Sequence, residues 1–234
     1  MVKIGLKDAQ VQEIKSRKTA INKLLINWGK KSYRHFPWRE NRTAYSVLIS
    51  EVLLKRTTAS AVKNVYGDFM SLYPNINELI NADCGKLEVF LSRLGYHKIR
   101  TKILIEMAKY IIEKYGGQIP KSKEELLDIP YVGNYTANAV LSFCYNVPVA
   151  IVDTNVERII KRVFLKCLPN KISFKLLQEV ADTLSPKSNT SIYNYALLDF
   201  GGLVCKSGLP KCRVCPIKDV CDYYLLGKPQ SKTI

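Results

Sequence analysis

No stretch of this chain is apolar for long enough to span a bilayer, and the opening MVKIGLKDAQ lacks the apolar core of an export signal. Membrane proteins and secreted proteins are thereby set aside, and a cytoplasmic, intracellular protein with no membrane partner is expected. Internal repeats, low-complexity tracts and long linkers are missing too, which excludes solenoids and disordered chains. Acidic side chains are scarce: 20 Asp and Glu stand against 36 Lys and Arg, a formal net charge of +16. That imbalance points to a polyanion, nucleic acid before an anionic membrane, although a solvated basic surface would give the same total. Strand patterning is nearly absent. Only VPVAIV (147–152) has it, and that run is short enough to be a buried connection.

What is present is helical periodicity. Hydrophobic residues make up 47% of the 234 positions, enough for one large or two small cores. Residues 9–29 carry a helical pattern ending at Trp28-Gly29. Tyr45, Leu48, Ile49, Val52 and Leu53 form the stripe of a buried helix over 44–56. Further helices are expected over 59–72, 76–82, 85–93, 97–115, 122–128, 135–145, 155–167, 173–184 and 190–203, with Ser122 and Glu125 spaced as a capping box. The fold class is all-α.

Seven cysteines without an export signal, four of them crowded near the C-terminus, favour a metal centre over disulfides. Cys205, Cys212, Cys215 and Cys221 follow C-x6-C-x2-C-x5-C. Structural zinc commonly pairs two C-x2–4-C knuckles across a longer gap, so a compact coil with unequal spacings suits a [4Fe–4S] cluster better. Zinc remains the alternative. Lys206, Lys211, Arg213 and Lys218 interleave the cysteines, positioned either for phosphates or to balance a negative cluster.

The stretch IPYVGNYTANAVLSFC (129–144) places Pro130 and Gly133 directly before a helix. Pro130 fixes φ, Gly133 is expected to allow the reversal, and the amides of Gly133, Asn134 and Tyr135 would point from a helix N-terminus at an anion. With the preceding helix this reads as helix–hairpin–helix over about 122–145. An ordinary corner between core helices is the plainer reading. Eighteen residues after Tyr135, Asp153 ends an apolar run and precedes a helix. Thr154 and Glu157 have capping-box spacing, which would leave Asp153 free for chemistry; Asp153 as the N-cap itself is the alternative, and the two roles are compatible.

The hairpin, the downstream aspartate and the four-cysteine loop together resemble the helix–hairpin–helix base-excision DNA glycosylases of the endonuclease III and MutY type, from FPWRENRTAYSVLISEVLL (36–54) to Cys221. One departure is Tyr131, where the family's L-P-G-V-G hairpin has its first glycine. The resemblance implies two helical domains with a DNA cleft between them. One is a six-helix barrel domain (44–148) with the hairpin. The other is an N/C-terminal domain (1–43 plus 149–234) with the cluster loop at 205–221. It implies a monomer, and a monovalent cation on the hairpin carbonyls.

The position before Thr136-Ala137 divides that family: lyases resemble one another in a lysine there, and adenine glycosylases carry serine and a further C-terminal domain. Here Tyr135 stands at that position, and thirteen residues follow Cys221. This is similar to the Mig-type mismatch enzymes, implying double-stranded DNA with G·T or G·U mispairs as partner. A phenol forms no Schiff base, so hydrolysis without strand cleavage is implied. Adenine and oxidised-pyrimidine glycosylases, and a non-catalytic DNA-binding module, are the alternatives. Asp153 would stabilise the cationic sugar, Glu51 would hold base or water, and Tyr135 would line the pocket. Glu51 as a hydrogen-bonded core residue remains open. Tyr96, after Leu94-Gly95, resembles the family's wedge into the base stack; simple packing is the alternative. Lys98, Arg100 and Lys102 are expected on phosphates, and Arg56, Thr57 and Thr58 near the opposing guanine.

Overall fold

Twelve α-helices supply nearly all regular structure among the described residues, 6–228, of the computed structural model, and no strand occurs among them. Two units divide the chain: Met1–Arg34 with Asn146–Ile234, and His35–Tyr145. The cut differs from the 43/44 and 148/149 expected. Residues 35–43 go with the central unit, because Trp38 is buried edge-on against Tyr66 (ring centroids 5.7 Å) and stacks on Phe36 at 4.7 Å.

The central unit contains α2 (Ala44–Leu54), α3 (Ala59–Leu72), α4 (Ile76–Ile80), α5 (Cys84–Leu91), α6 (His97–Tyr115), α7 (Lys123–Asp128) and α8 (Asn134–Tyr145). That is seven helical segments, as the periodicity indicates, rather than the six of the resemblance. Most begin at a side-chain cap: Thr43, Thr58, Asn75, Asp83 and Ser122 each accept a hydrogen bond from a first-turn amide. Ser122 accepts from Glu125 N at 3.2 Å, but its hydroxyl donates to the Glu125 carboxylate at 2.6 Å, so the expected box is only half made. Helix α2 is buried on every side from Ser46 to Leu53, packing on α8 and α6. A helix apolar all round belongs at the centre of its unit.

The terminal unit contains α1 (Asp8–Ser32), α9 (Thr154–Val163), α10 (Phe174–Leu184), α11 (Thr190–Leu203) and α12 (Asp222–Leu225). Helix α1 does not stop at Gly29. It continues to Ser32, and Gly29 lies inside it because α11 leaves no room: a Cβ there would stand 2.5 Å from Ala196 Cβ. Trp28 meets Phe200 edge-on at 5.5 Å beside this contact.

The run 147–152 forms no strand, although Ala150, Ile151 and Val152 are buried. Side chains of the terminal unit occupy the backbone groups a neighbouring strand would take. Ala150 N donates to Asp182 Oδ1 (2.8 Å) and Ile151 N to Asn194 Oδ1 (3.4 Å). Asn194 Nδ2 and Gln178 Nε2 donate in turn to the carbonyls of Val149 (2.9 Å) and Ala150 (3.0 Å).

Candidate DNA-recognition and catalytic residues

In the central unit the hairpin joins α7 to α8. Its left-handed residue is Tyr131 (φ +66°), not Gly133, which has no positive φ and open space where a Cβ would go. The reversal assigned to Gly133 is therefore made by the tyrosine that replaces the family's glycine. Tyr131 is fastened twice: its hydroxyl donates to the Glu106 carboxylate, and its carbonyl accepts from Lys55 Nζ at 3.0 Å. Beyond the turn, Ala137 N bonds back to Gly133 O at 2.9 Å, which starts α8. A helix leaves its first amides without acceptors of its own, and Gly133 and Asn134 are exposed there. Tyr135 is half-buried on the first turn.

Glu51 lies at 8% exposure in α2, one turn before Lys55. Burial pushes the Lys55 ammonium down from its ordinary value and Arg100 adds to this, while the charge of Glu51 pulls the other way. Arg100, expected on a phosphate, is instead 3% exposed. Its guanidinium donates to the carbonyls of Val52, Leu53 (3.0 Å), Lys55 (3.0 Å) and Gly95 (3.5 Å). It therefore satisfies the carbonyls left open where α2 ends. Lys98 is exposed, and Lys102 pairs with Glu106 at 3.8 Å.

Tyr96 is left-handed (φ +51°) and half exposed, with the Arg56 guanidinium 5.3 Å from its ring centroid. Both line a hollow of about 390 Å³ with Val52, Ile99 and Ile103 as its apolar wall. Thr57 N donates to Leu54 O at 3.4 Å; Thr58, expected near a base, is the N-cap of α3.

In the terminal unit Asp153, not the Thr154–Glu157 pair, caps α9. Its Oδ1 accepts from Val156 N at 2.8 Å, whereas Glu157 pairs with Lys161 at 2.6 Å. Its Oδ2 accepts from Asn155 Nδ2 at 2.7 Å. Asn155 Oδ1 in turn accepts from Arg158 Nη2 (2.8 Å), and Arg158 donates to Cys205 O (2.9 Å) and Gly201 O (3.0 Å). A hydrogen-bonded chain thus runs from the carboxylate to the first residue of the cysteine loop. Gly201 permits it: a Cβ there would stand 2.5 Å from Asn155 Cβ.

The seven cysteines are free thiols. Cys205, Cys212, Cys215 and Cys221 line one hollow with Arg162, Lys211 and Ile217 among its other walls. Burial pushes the Cys212, Cys215 and Cys221 thiols up, Cys215 to about 12, and the negative charges of the neighbouring sulfurs raise them further. Among the described residues no three His, Cys, Asp or Glu side chains form a group that would hold a single metal ion; the sulfurs face a common hollow without closing on it. Arg162 braces the loop through the carbonyls of Lys206 (2.6 Å), Ser207 (3.3 Å) and Gly208 (3.2 Å), with its Nη1 3.4 Å from Cys205 Sγ. Lys206 and Arg213 are exposed, while Lys211 and Lys218 are half-buried. Sequence reasoning missed Asn155, Arg158, Arg162 and Lys55. The first three sit at +2, +5 and +9 from Asp153, a spacing that on α9 aims them toward its N-cap and the loop.

Capped carboxylate, hairpin and basic surface are features of a DNA-repair fold, and the chain belongs to the HhH-GPD superfamily of base excision DNA repair proteins, whose sequence profile matches residues 49–182. It is 35% identical over 211 residues to the thymine/uracil-DNA glycosylase of Methanothermobacter thermautotrophicus, covering 90% of this chain and 95% of that one. It is also 35% identical to the thymine-DNA glycosylase of Aeropyrum pernix, over 90% of this chain and 96% of that protein. An adenine DNA glycosylase of Buchnera aphidicola is 34% identical, but this chain spans only 58% of its length. Among solved structures, a thermostable thymine-DNA glycosylase superposes with a TM-score of 0.85 at 32% identity, covering 90% of this chain and 98% of that one. A trapped endonuclease III–DNA covalent intermediate gives 0.78 at 25% identity, covering 91% and 98%.

Proposed function

We propose that the protein is a monofunctional DNA glycosylase that removes thymine or uracil mispaired with guanine from double-stranded DNA. The observation that carries this reading is Asp153, a carboxylate held at both oxygens by Val156 N and Asn155 Nδ2. The choice of base is supported by similarity to thymine and thymine/uracil glycosylases along nearly their whole length.

The mispaired nucleotide is everted. As the bond from C1′ to the base breaks, the sugar gains oxocarbenium character, which a fixed anion stabilises. Water adds at C1′, its proton passes to Asp153, and the base leaves with the bonding pair and is protonated. Glu51 holds the base or the water, and Tyr135 lines the pocket without an amine that could form a Schiff base. The hairpin amides of Gly133 and Asn134, with Lys98, Lys211 and Arg213, hold phosphates, and the hairpin carbonyls take a monovalent cation. Cys205, Cys212, Cys215 and Cys221 hold a [4Fe–4S] cluster, which when bound cross-links the loop. That the four cysteines line one hollow, with Arg162 bracing their loop, supports this reading, and purified protein should carry about four irons per chain.

The test is an oligonucleotide panel carrying G·T, G·U, A·8-oxoguanine or thymine glycol, read with and without hot alkali. G·T and G·U strands should break only after alkali, because an abasic site remains. Breakage without alkali, with borohydride trapping, would assign a lyase. Asp153→Asn should slow base release at least about a hundredfold with duplex affinity nearly unchanged; full activity in that variant removes the aspartate from the mechanism.

A further inference from the structure

We propose that Arg100 is a positioning residue that fixes two left-handed turns, at Arg56 and at Tyr96, as one stacked DNA-reading unit before DNA arrives. The proposal rests on the reading of Arg56 and Tyr96 as DNA contacts and adds what holds them. A guanidinium at 3% exposure is costly, and among the described residues no carboxylate pairs with Arg100. What it has is carbonyls from two segments: Val52, Leu53 and Lys55 at the end of α2, and Gly95 in the turn before α6. A planar fork with several N–H groups can hold both segments at once, and an ammonium cannot match that geometry.

Each held segment then enters a left-handed residue, Arg56 at φ +54° and Tyr96 at φ +51°. For a non-glycine residue that conformation costs roughly 1–2 kcal/mol, and it persists where surrounding structure over-determines it. The two strained residues meet, guanidinium over ring at 5.3 Å, on the rim of the 390 Å³ hollow whose wall includes Arg100. Lys55 extends the tie to the hairpin through Tyr131 O (3.0 Å), and Tyr131 closes back on α6 through Glu106. Three of the five left-handed non-glycine residues among the described residues thus lie on one circuit, Tyr96 and Tyr131 through hydrogen bonds and Arg56 through its stack on Tyr96.

The test is a double-mutant cycle on affinity for a duplex carrying an abasic tetrahydrofuran opposite guanine. In the otherwise unaltered protein, Arg56→Ala and Tyr96→Ala should be coupled, the double variant binding about fivefold tighter than the product of the single losses predicts. In an Arg100→Lys background that coupling should vanish and affinity fall about tenfold. Unchanged affinity with intact coupling overturns the proposal. Because Arg100→Lys can fail to fold, amide hydrogen exchange of residues 55–58 and 95–98 is read on the intact protein. Protection should already be present without DNA and change little on adding duplex; protection gained only with DNA overturns the pre-arrangement. No base is released from this duplex, so a protein that shows the coupling yet frees no thymine from G·T refutes only the glycosylase reading.

Discussion

Tyr131 occupies a left-handed position that a glycine would take without cost, and two hydrogen bonds hold it there. Replacement by alanine keeps the backbone cost and loses the hydroxyl; replacement by glycine removes the cost. Tyr131→Gly should therefore be more stable than Tyr131→Ala by about 1 kcal/mol in urea unfolding. Equal stabilities would mean that the turn is not strained. This residue also shows where sequence reading stops. Pro130 and Gly133 announce a turn, but which residue goes left-handed depends on Lys55 and Glu106, 76 and 25 residues away. Arg100 was hidden for the same reason: on a basic helix it reads as a phosphate contact, and only the position of α2's last carbonyls reveals it as buried. Glu51 and Asp153 stand out in the sequence because an acid in an apolar run needs a partner or a task, and the structure gives Asp153 a partner at Val156 N. Cysteines differ in a checkable way as well. Burial pushes the Cys144 thiol up to about 11, so at pH 8 almost none of it is thiolate, whereas Cys84 is exposed. Brief iodoacetamide treatment at that pH should label Cys84 first by peptide mass spectrometry; a Cys144 that alkylates as fast would contradict its burial.

Helices were largely readable, and two over 59–72 and 97–115 have the bounds their periodicity predicts. Misreadings cluster where tertiary packing overrides a local signal. Gly29 looks like a helix stop, yet α1 runs through it because α11 approaches closely. Residues 147–152 have the pattern of a strand but form the buried connection that their shortness allowed, because Asp182, Asn194 and Gln178 satisfy their backbone. Both glycine contacts yield predictions for whole elements. Gly29→Ala should push α1 from α11 and destabilise the protein by about 1–3 kcal/mol, with Ala196→Gly recovering part of the loss. Gly201→Ala forces a methyl to within 2.5 Å of Asn155 Cβ, so it should displace the side chain that holds Asp153. The expected result is about tenfold slower base release at saturating enzyme, with duplex affinity changed less than twofold. A fall in affinity instead would place the effect on the loop rather than on the carboxylate.

Across the whole molecule, the +16 formal charge sets how the protein meets DNA but cannot by itself distinguish a mispair from a matched duplex. Phosphate contacts release counterions and act on all sequences alike; contacts at a disturbed base step do not. The exposed side chains divide along this line. Lys206 and Arg213 project from the cysteine loop with no carboxylate partner among the described residues, in the state expected of charges held ready for phosphate. Arg56 is already stacked on Tyr96, so its contribution depends on a ring, not only on charge. Lys206→Gln and Arg213→Gln should each reduce the slope of log affinity against log salt by about one, and weaken G·T and G·C duplexes equally. Arg56→Ala should weaken the G·T duplex more than the G·C duplex by at least about fivefold. The measurement is fluorescence anisotropy of both duplexes across a KCl series with Asp153→Asn protein, which prevents turnover. If Arg56→Ala lowers both affinities in step, the stacked pair is one more phosphate contact. Discrimination would then have to come from the pocket that receives the everted base.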